Sequence, residues 1–360
     1  MSASIVSTLS LGSTVLAGMH QTQAEISKLT VESTTGEYAD LGVQLGDQSG
    51  YELSLRDQTN LLQAVTTANN ATVTNLTLSQ TAINSMTTTA QSAVETLTSL
   101  SAGANTSAAT LQNTGTNALQ ELVEETNTSS NGQYLFGGIN SGGLNADGST
   151  SPTLTNYFSS TAGQTAFDTT FQNYFGFSTT SSNVSDITSA QMQDFLTGSS
   201  ANAFSTLVSG SWTNWSNASS TNVTTEIAPG ETATTSTNAN DAGFQQLAEG
   251  YAMLSQLGGL SLSASAQQTV ISTASSLIDQ GISSMNTTEA TLGATQTQVT
   301  DASTSMSNQL TILQTQVGNL DDINAESIAT QLSSLQTQLE TSYDLTSQLQ
   351  KLNLAQYLPV

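Results

Sequence analysis

Apolar residues recur at alternating steps of four and three near the end of the chain: Ile278, Ile282, Met285, Leu292, Val299, Met306, Leu310, Leu313, Val317 and Leu320. Ten of the thirteen positions on this spacing are apolar, against about five expected by chance at a hydrophobic content of 36%. Glu289, Gln296 and Ser303 are the interruptions. A seven-residue apolar repeat is the seam of a helix in a coiled coil or bundle. At 1.5 Å per residue such a helix runs roughly 60 Å, longer than the core of a compact domain. The first inference is an elongated, mainly α protein that associates with copies of itself.

A second stretch, from residue 51 to 100, carries Leu62, Val73, Leu76, Ile83, Ala90, Val94 and Leu97 on the same rhythm, with polar exceptions at Thr66, Asn69, Gln80 and Thr87. Residues 108–125 continue with Leu111, Ala118, Leu119 and Leu122 at helical spacing, and the turn-forming residues 127–132 close them. At the N-terminus Ile5, Leu9, Leu16 and Met19 fall on one side of a helix, followed by a connector broken at Gly36 and Gly42. Gly318-Asn319 is expected to end the long C-terminal repeat, with Asp321 or Asp322 capping a last helix that has Glu326 in its first turn. That helix presents Ile328, Leu332, Leu335, Leu339, Leu345, Leu349 and Leu352. A stripe at each end of the chain needs a cover, and each is the obvious candidate to cover the other. In a lone chain the terminal segments are expected to be largely disordered until copies bury them.

The middle differs. Thirteen of the 19 aromatic residues lie within residues 134–215. Short runs at 133–136 and 174–178, bounded by Gly, Ser and Asn, predict strands and turns, with a short helix near 191–196. Residues 216–242 are mostly Ser, Thr, Asn and Ala around Pro229-Gly230 and predict a loop-rich exit. The expected organisation is a terminal coiled-coil domain (1–45 and 321–360), a helical rod (46–137 and 243–320) and an inserted β-containing outer domain (138–242).

Lys28, Arg56 and Lys351 are the only basic residues against 27 acidic ones, a net charge of −24. Phosphate binding requires clustered Lys or Arg, so nucleic acid is excluded and anionic lipid is disfavoured. Only 8% of residues are charged, so the surface is built of Ser, Thr, Asn and Gln. Cysteine is absent, which excludes disulfides, thiolate metal sites and a cysteine nucleophile. No run reaches the ~20 apolar residues of a membrane span. The first basic residue is Lys28, so a cleaved secretion signal is not expected.

No catalytic, cofactor or metal site emerges. His20 is the sole histidine and lies in a terminal helix, far in sequence from the aromatic segment. Asp147, Asp168, Asp186 and Asp194 show no metal-loop spacing and read as solvated carboxylates. Gly137-Gly138 and Gly142-Gly143 read as turns, because no lysine follows to make a phosphate loop. Trp212 and Trp215 read as core residues, with a sugar-stacking platform as the alternative. Asn214, Asn217 and Asn222 head N-x-S/T triplets, which matter only where the producer glycosylates asparagine.

Four passages carry a resemblance. Residues 131–138, Asn-Gly-Gln-Tyr-Leu-Phe-Gly-Gly, resemble the segment that closes the first helical half of the bacterial flagellin family. The helix from Asp321-Asp322 to Leu354 resembles that family's C-terminal segment. Residues 352–358, Leu-Asn-Leu-Ala-Gln-Tyr-Leu, and residues 36–42, Gly-Glu-Tyr-Ala-Asp-Leu-Gly, are similar to its hook–filament junction branch, hook-associated protein 3. One departure is the near absence of the basic residues common in the flagellin N-terminal region. The resemblance covers both helical ends, about two-thirds of the chain, and not the middle.

It implies a structural, non-enzymatic, extracellular subunit of the flagellum that serves motility. Such a subunit is exported unfolded by the type III route, with no cleaved signal and with an export chaperone. Its partners would be itself, as a ring or helical homo-oligomer, and other axial proteins, namely a hook-associated protein and flagellin. Ile5, Leu9, Leu16, Met19, Ile328, Leu332, Leu335, Leu339, Leu345, Leu349 and Leu352 would form the assembly interface. Leu76, Ile83, Leu97, Ile282, Met285, Leu292, Val299, Leu310, Leu313 and Val317 would form the rod seam. The alternatives are a filament-forming flagellin, or a carbohydrate-binding surface adhesin using Trp212 and Trp215.

Overall fold

The computed structural model describes residues 8–102, 107–142 and 151–355, with side chains described over 12–348 and at Lys351. Backbone contacts divide the chain into two units, one joining the residues up to 63 to those from 307, the other spanning 64–306.

In the first unit the terminal helices α1 (Thr8–Thr35) and α11 (Ala325–Ala355) lie antiparallel. Gln23 Nε2 donates to the Tyr343 hydroxyl at 2.8 Å, and Thr346 Oγ1 contacts Met19 Sδ at 3.6 Å. Met19, Leu29 and Ile328 are buried between the two helices. Ile26, Leu332, Leu335 and Leu339 are half-buried on the same four/three spacing. The two stripes therefore cover one another within a single chain, which revises the expectation that a lone chain leaves both of them bare. Both helices of the pair belong to one chain, so no second molecule is required for this first layer of burial.

The chain between these helices passes through α2 (Leu41–Leu45) into α3 (Ser49–Ala102), and returns through α10 (Ala264–Asp321). Helix α10 runs through Gly318-Asn319 instead of stopping there, and Asn324, not Asp321 or Asp322, caps α11 by accepting from Ser327 N at 3.0 Å. Asp321 is unavailable as a cap because its carboxylate is turned onto Arg56.

In the second unit α3 and α10 are packed through the apolar rhythm seen in the sequence: Leu76, Ile83, Ala90 and Leu97 on α3, and Ile278, Met285, Leu292, Val299 and Met306 on α10, are all buried. The polar interruptions face one another. Asn69 Nδ2 donates to Ser303 Oγ at 3.0 Å; Gln80 Nε2 donates to Gln296 Oε1 at 2.6 Å, and Gln296 Nε2 to Thr77 Oγ1 at 3.0 Å. Matched polar layers in an apolar seam penalise any shifted register, since a slip would bury them unpaired. Helices α4 (Ala108–Thr126) and α9 (Ala242–Leu257) pack tightly on each other. Gly115 makes this approach feasible: a Cβ there would sit 2.5 Å from Ser255 N and 2.7 Å from Tyr251 O.

The middle is a small aromatic core with two hairpins. Strands β1 (Ser129–Ser130) and β2 (Gln133–Tyr134) are joined by Asn131 (φ 52) and Gly132 (φ 78), the two positive φ values that a two-residue hairpin turn requires. Four short helices follow: α5 (Thr161–Phe175), α6 (Ser189–Thr197), α7 (Phe204–Gly210) and α8 (Trp212–Trp215). Phe158, Phe171, Phe195, Phe204 and Trp215 are fully buried among them, with edge-on contacts such as Phe158 to Trp215 at 5.2 Å. Two expectations change here. The strand expected at 174–178 is instead the end of α5, capped by Gly176 (φ 82), because helical spacing sets Phe167, Phe171 and Phe175 on one face toward the core. The loop-rich stretch 216–242 contains a hairpin, β3 (Thr224–Ala228) and β4 (Glu231–Thr234), that turns at Pro229-Gly230. Asn69 Nδ2 also donates to Ile227 O at 2.7 Å, so the hairpin is anchored on α3.

Candidate assembly interface

The residues expected to form the assembly interface take three positions. Met19, Ile328, Leu332, Leu335 and Leu339 are on the inner face of the α1–α11 pair. Leu16 and Leu345 are each 50% exposed and lie off the inner seam of that pair, and Val31 and Tyr343 are exposed as well. Leu9, Leu349 and Leu352 lie on the helices at positions whose side chains are outside the described set, and Ile5 lies outside the described residues. Of the expected rod seam, Leu76, Ile83, Leu97, Met285, Leu292 and Val299 are buried, while Ile282, Leu310, Leu313 and Val317 are half-buried.

Residues 131–138 do structural work that composition alone did not reveal. Phe136 is fully buried and meets Phe244 edge-on at 5.3 Å. Its carbonyl accepts from Ala239 N at 2.8 Å, and Gly137 O accepts from Ser219 N at 3.0 Å. A Cβ on Gly138 would lie 2.5 Å from Thr221 O, and its φ of 58° belongs to glycine. The segment thus ties the start of the aromatic middle to its exit. Asn240 completes the tie: its Oδ1 accepts from Trp212 Nε1 at 2.9 Å and from Ser216 Oγ at 2.7 Å. The adjacent Gly137-Gly138 pair was the readable signal, although its role as a clasp was not.

The candidate polar residues lie apart among the described residues. His20 is exposed on α1. Asp168, Asp186 and Asp194 are exposed; Asp194 accepts from the Tyr174 hydroxyl at 2.5 Å, and burial, with this bond second, pushes that phenol up to about 12. Asp147 is outside the described residues. Among the described residues no group of three or more His, Cys, Asp or Glu could hold a metal ion, and no helix is long and apolar enough to cross a membrane. Trp212 and Trp215 are stacked on each other at 6.0 Å, 9% and 0% exposed, so they present no face to a sugar. Burial pushes the Glu249 carboxyl on α9 up to about 7.

The family described as the bacterial flagellin N-terminal helical region matches residues 6–141, and that described as the bacterial flagellin C-terminal helical region matches residues 275–358. Together they span more than half of the chain. The protein belongs to the flagellin family. No curated protein matches the sequence. The N-terminal match takes in α1–α4 and the 131–138 segment, the C-terminal match takes in α11 and α10 from residue 275, and neither covers residues 142–274, where α5–α9 lie. As a flagellin-family protein the chain is a structural, non-enzymatic, extracellular component of the flagellum that self-assembles.

Proposed function

We propose that this flagellin-family subunit occupies the hook–filament junction. The similarity of residues 36–42 to the junction branch carries that placement, and the tail at 352–358 points the same way. In this reading the α1–α11 pair contributes to the inner layer of the assembly, residues 46–137 with 243–320 form the rod, and residues 138–242 project outward. Neighbouring copies cover Leu16, Val31, Tyr343 and Leu345, whose burial contributes roughly 25 cal/mol per Å² of apolar surface. The chain reaches its place through the flagellar type III route, without a cleaved signal and with an export chaperone, and contacts a hook-associated protein on one side and flagellin on the other. Electron microscopy of purified flagella carrying a tagged copy tests the placement. Label confined to a short band at the hook end is expected; label along the whole filament would make the protein a filament flagellin instead.

A further inference from the structure

Two breaks in the helices of the first unit lie side by side. Between α1 and α3 the backbone turns at Gly36 (φ 81) and Gly46 (φ 52), and between α10 and α11 only residues 322–324 intervene. The connector has little apolar burial to hold it: α2 has no buried residue, and Val43 is 79% exposed. Its cross-links are polar. Tyr38 N donates to Asp321 O and Ile323 N donates to Gly36 O, both at 3.1 Å, while Glu37 and Asp322 form an isolated antiparallel bridge.

Glu32 Oε1 on α1 accepts from Ala39 N at 3.1 Å, and one further side chain ties α3 to the end of α10 at this crossing. Arg56, the only arginine, pairs through Nε with Glu52 and through its terminal nitrogen with Asp321 Oδ2 at 2.5 Å. Asp321 is the last residue of α10, where the helix dipole disfavours a negative charge, and its side chain is only 2% exposed. Its other oxygen, Oδ1, has no partner. A carboxylate held there without a counter-charge is strongly unfavourable, so it must move out to water once the guanidinium is gone. Arg56 itself is 41% exposed, and a cavity of about 280 Å³ bordered by Glu37, Arg56, Asn60, Gln314 and Asp321 leaves room for that movement.

We infer that Arg56 is the latch of a hinge: its pairing with Asp321 closes the crossing of residues 36–38 and 321–323, and its release frees the α1–α11 pair to swing as one body. The pair keeps its own seam at Met19, Leu29 and Ile328, none of which depends on Arg56. The latch is a property of the single chain, whatever its place on the flagellum.

Hydrogen–deuterium exchange on the full chain tests this. In Arg56→Gln the amides of Tyr38 and Ile323 are expected to exchange at least about tenfold faster, the range for losing charge-assisted hydrogen bonds. Asp321→Asn, which removes the buried charge and so keeps a folded variant available, is expected to do the same. The double variant should be no faster than either single one, because both remove one interaction. Amides of α1 and α11 should be unchanged throughout. Unchanged exchange at Tyr38 and Ile323, additive effects, or α1 and α11 opening together with the connector would each overturn the latch.

Discussion

Gly115 and Gly293 both sit inside long helices, and replacing each by alanine should move stability in opposite directions. In a helix interior Gly→Ala gains about 1 kcal/mol from reduced backbone freedom in the unfolded chain. At Gly293 the new Cβ meets only Gln80 Oε1 at 3.7 Å, an ordinary contact, so most of that gain survives. At Gly115 the Cβ lies 2.5 Å from Ser255 N and 2.7 Å from Tyr251 O, both backbone atoms on α9 that no rotamer change can move. Helices α4 and α9 must then separate, loosening Leu111, Leu119, Leu122 and Leu254, all essentially inaccessible to solvent. Overpacking against backbone lies at the upper end of the usual range, about 2–3 kcal/mol, which outweighs the propensity gain and leaves a net loss of about 1–2 kcal/mol. For a unit of this size that lowers the melting temperature by about 3–6 °C, whereas Gly293→Ala raises it by about 2–4 °C. Thermal unfolding followed by circular dichroism reads both. Equal shifts in the same direction would refute the claim that backbone contact at Gly115 sets the spacing of α4 and α9.

Three further outcomes follow from the packing and the charges. Trp215→Ala should cost about 3–5 kcal/mol in urea unfolding, because the ring is fully buried against Phe158 and Trp212; a loss under 1 kcal/mol would place it at the surface instead. Glu249 has its folded-state pKa raised from 4.5 to about 7 by burial, so the folded chain holds a proton there that the unfolded chain has released. Its contribution is therefore present below about pH 4.5 and is lost as pH rises through about 7, up to roughly 2–3 kcal/mol; Glu249→Gln should flatten that slope in denaturation curves between these values. Gln296→Leu alone should destabilise by about 1 kcal/mol, because Gln80 Nε2 keeps only Leu76 O as an acceptor, while Gln80→Leu with Gln296→Leu should recover that loss; a double variant as weak as the single one would argue against a paired polar layer.

The long repeat was legible because every seam position from Ile278 to Leu320 faces inward, the polar ones included. What the pattern did not show is that Asn69 meets Ser303 and Gln80 meets Gln296: a polar residue in a heptad reads as an interruption until its partner on the other helix is known. The aromatic middle was recognisable as a packed core, yet residues 174–178 were assigned the wrong element. Short aromatic runs fit either period, and only the neighbours Phe167 and Phe171 select the helix. The cap of α11 was misplaced for a similar reason. Asp321 has the right chemistry for a cap, but its carboxylate is claimed by Arg56, 265 positions away in sequence. Local preference is visible in one stretch of chain, whereas competition for a side chain is not.

Leu16→Asp combined with Leu345→Asp tests the central claim, that the outer face of the α1–α11 pair is where copies meet. Both leucines are half exposed in the single chain and lie off the inner seam. The double variant should therefore keep the helical circular-dichroism signal of the wild type and yet be missing from purified flagella when it is the sole copy expressed. Incorporation at the wild-type level would contradict the account.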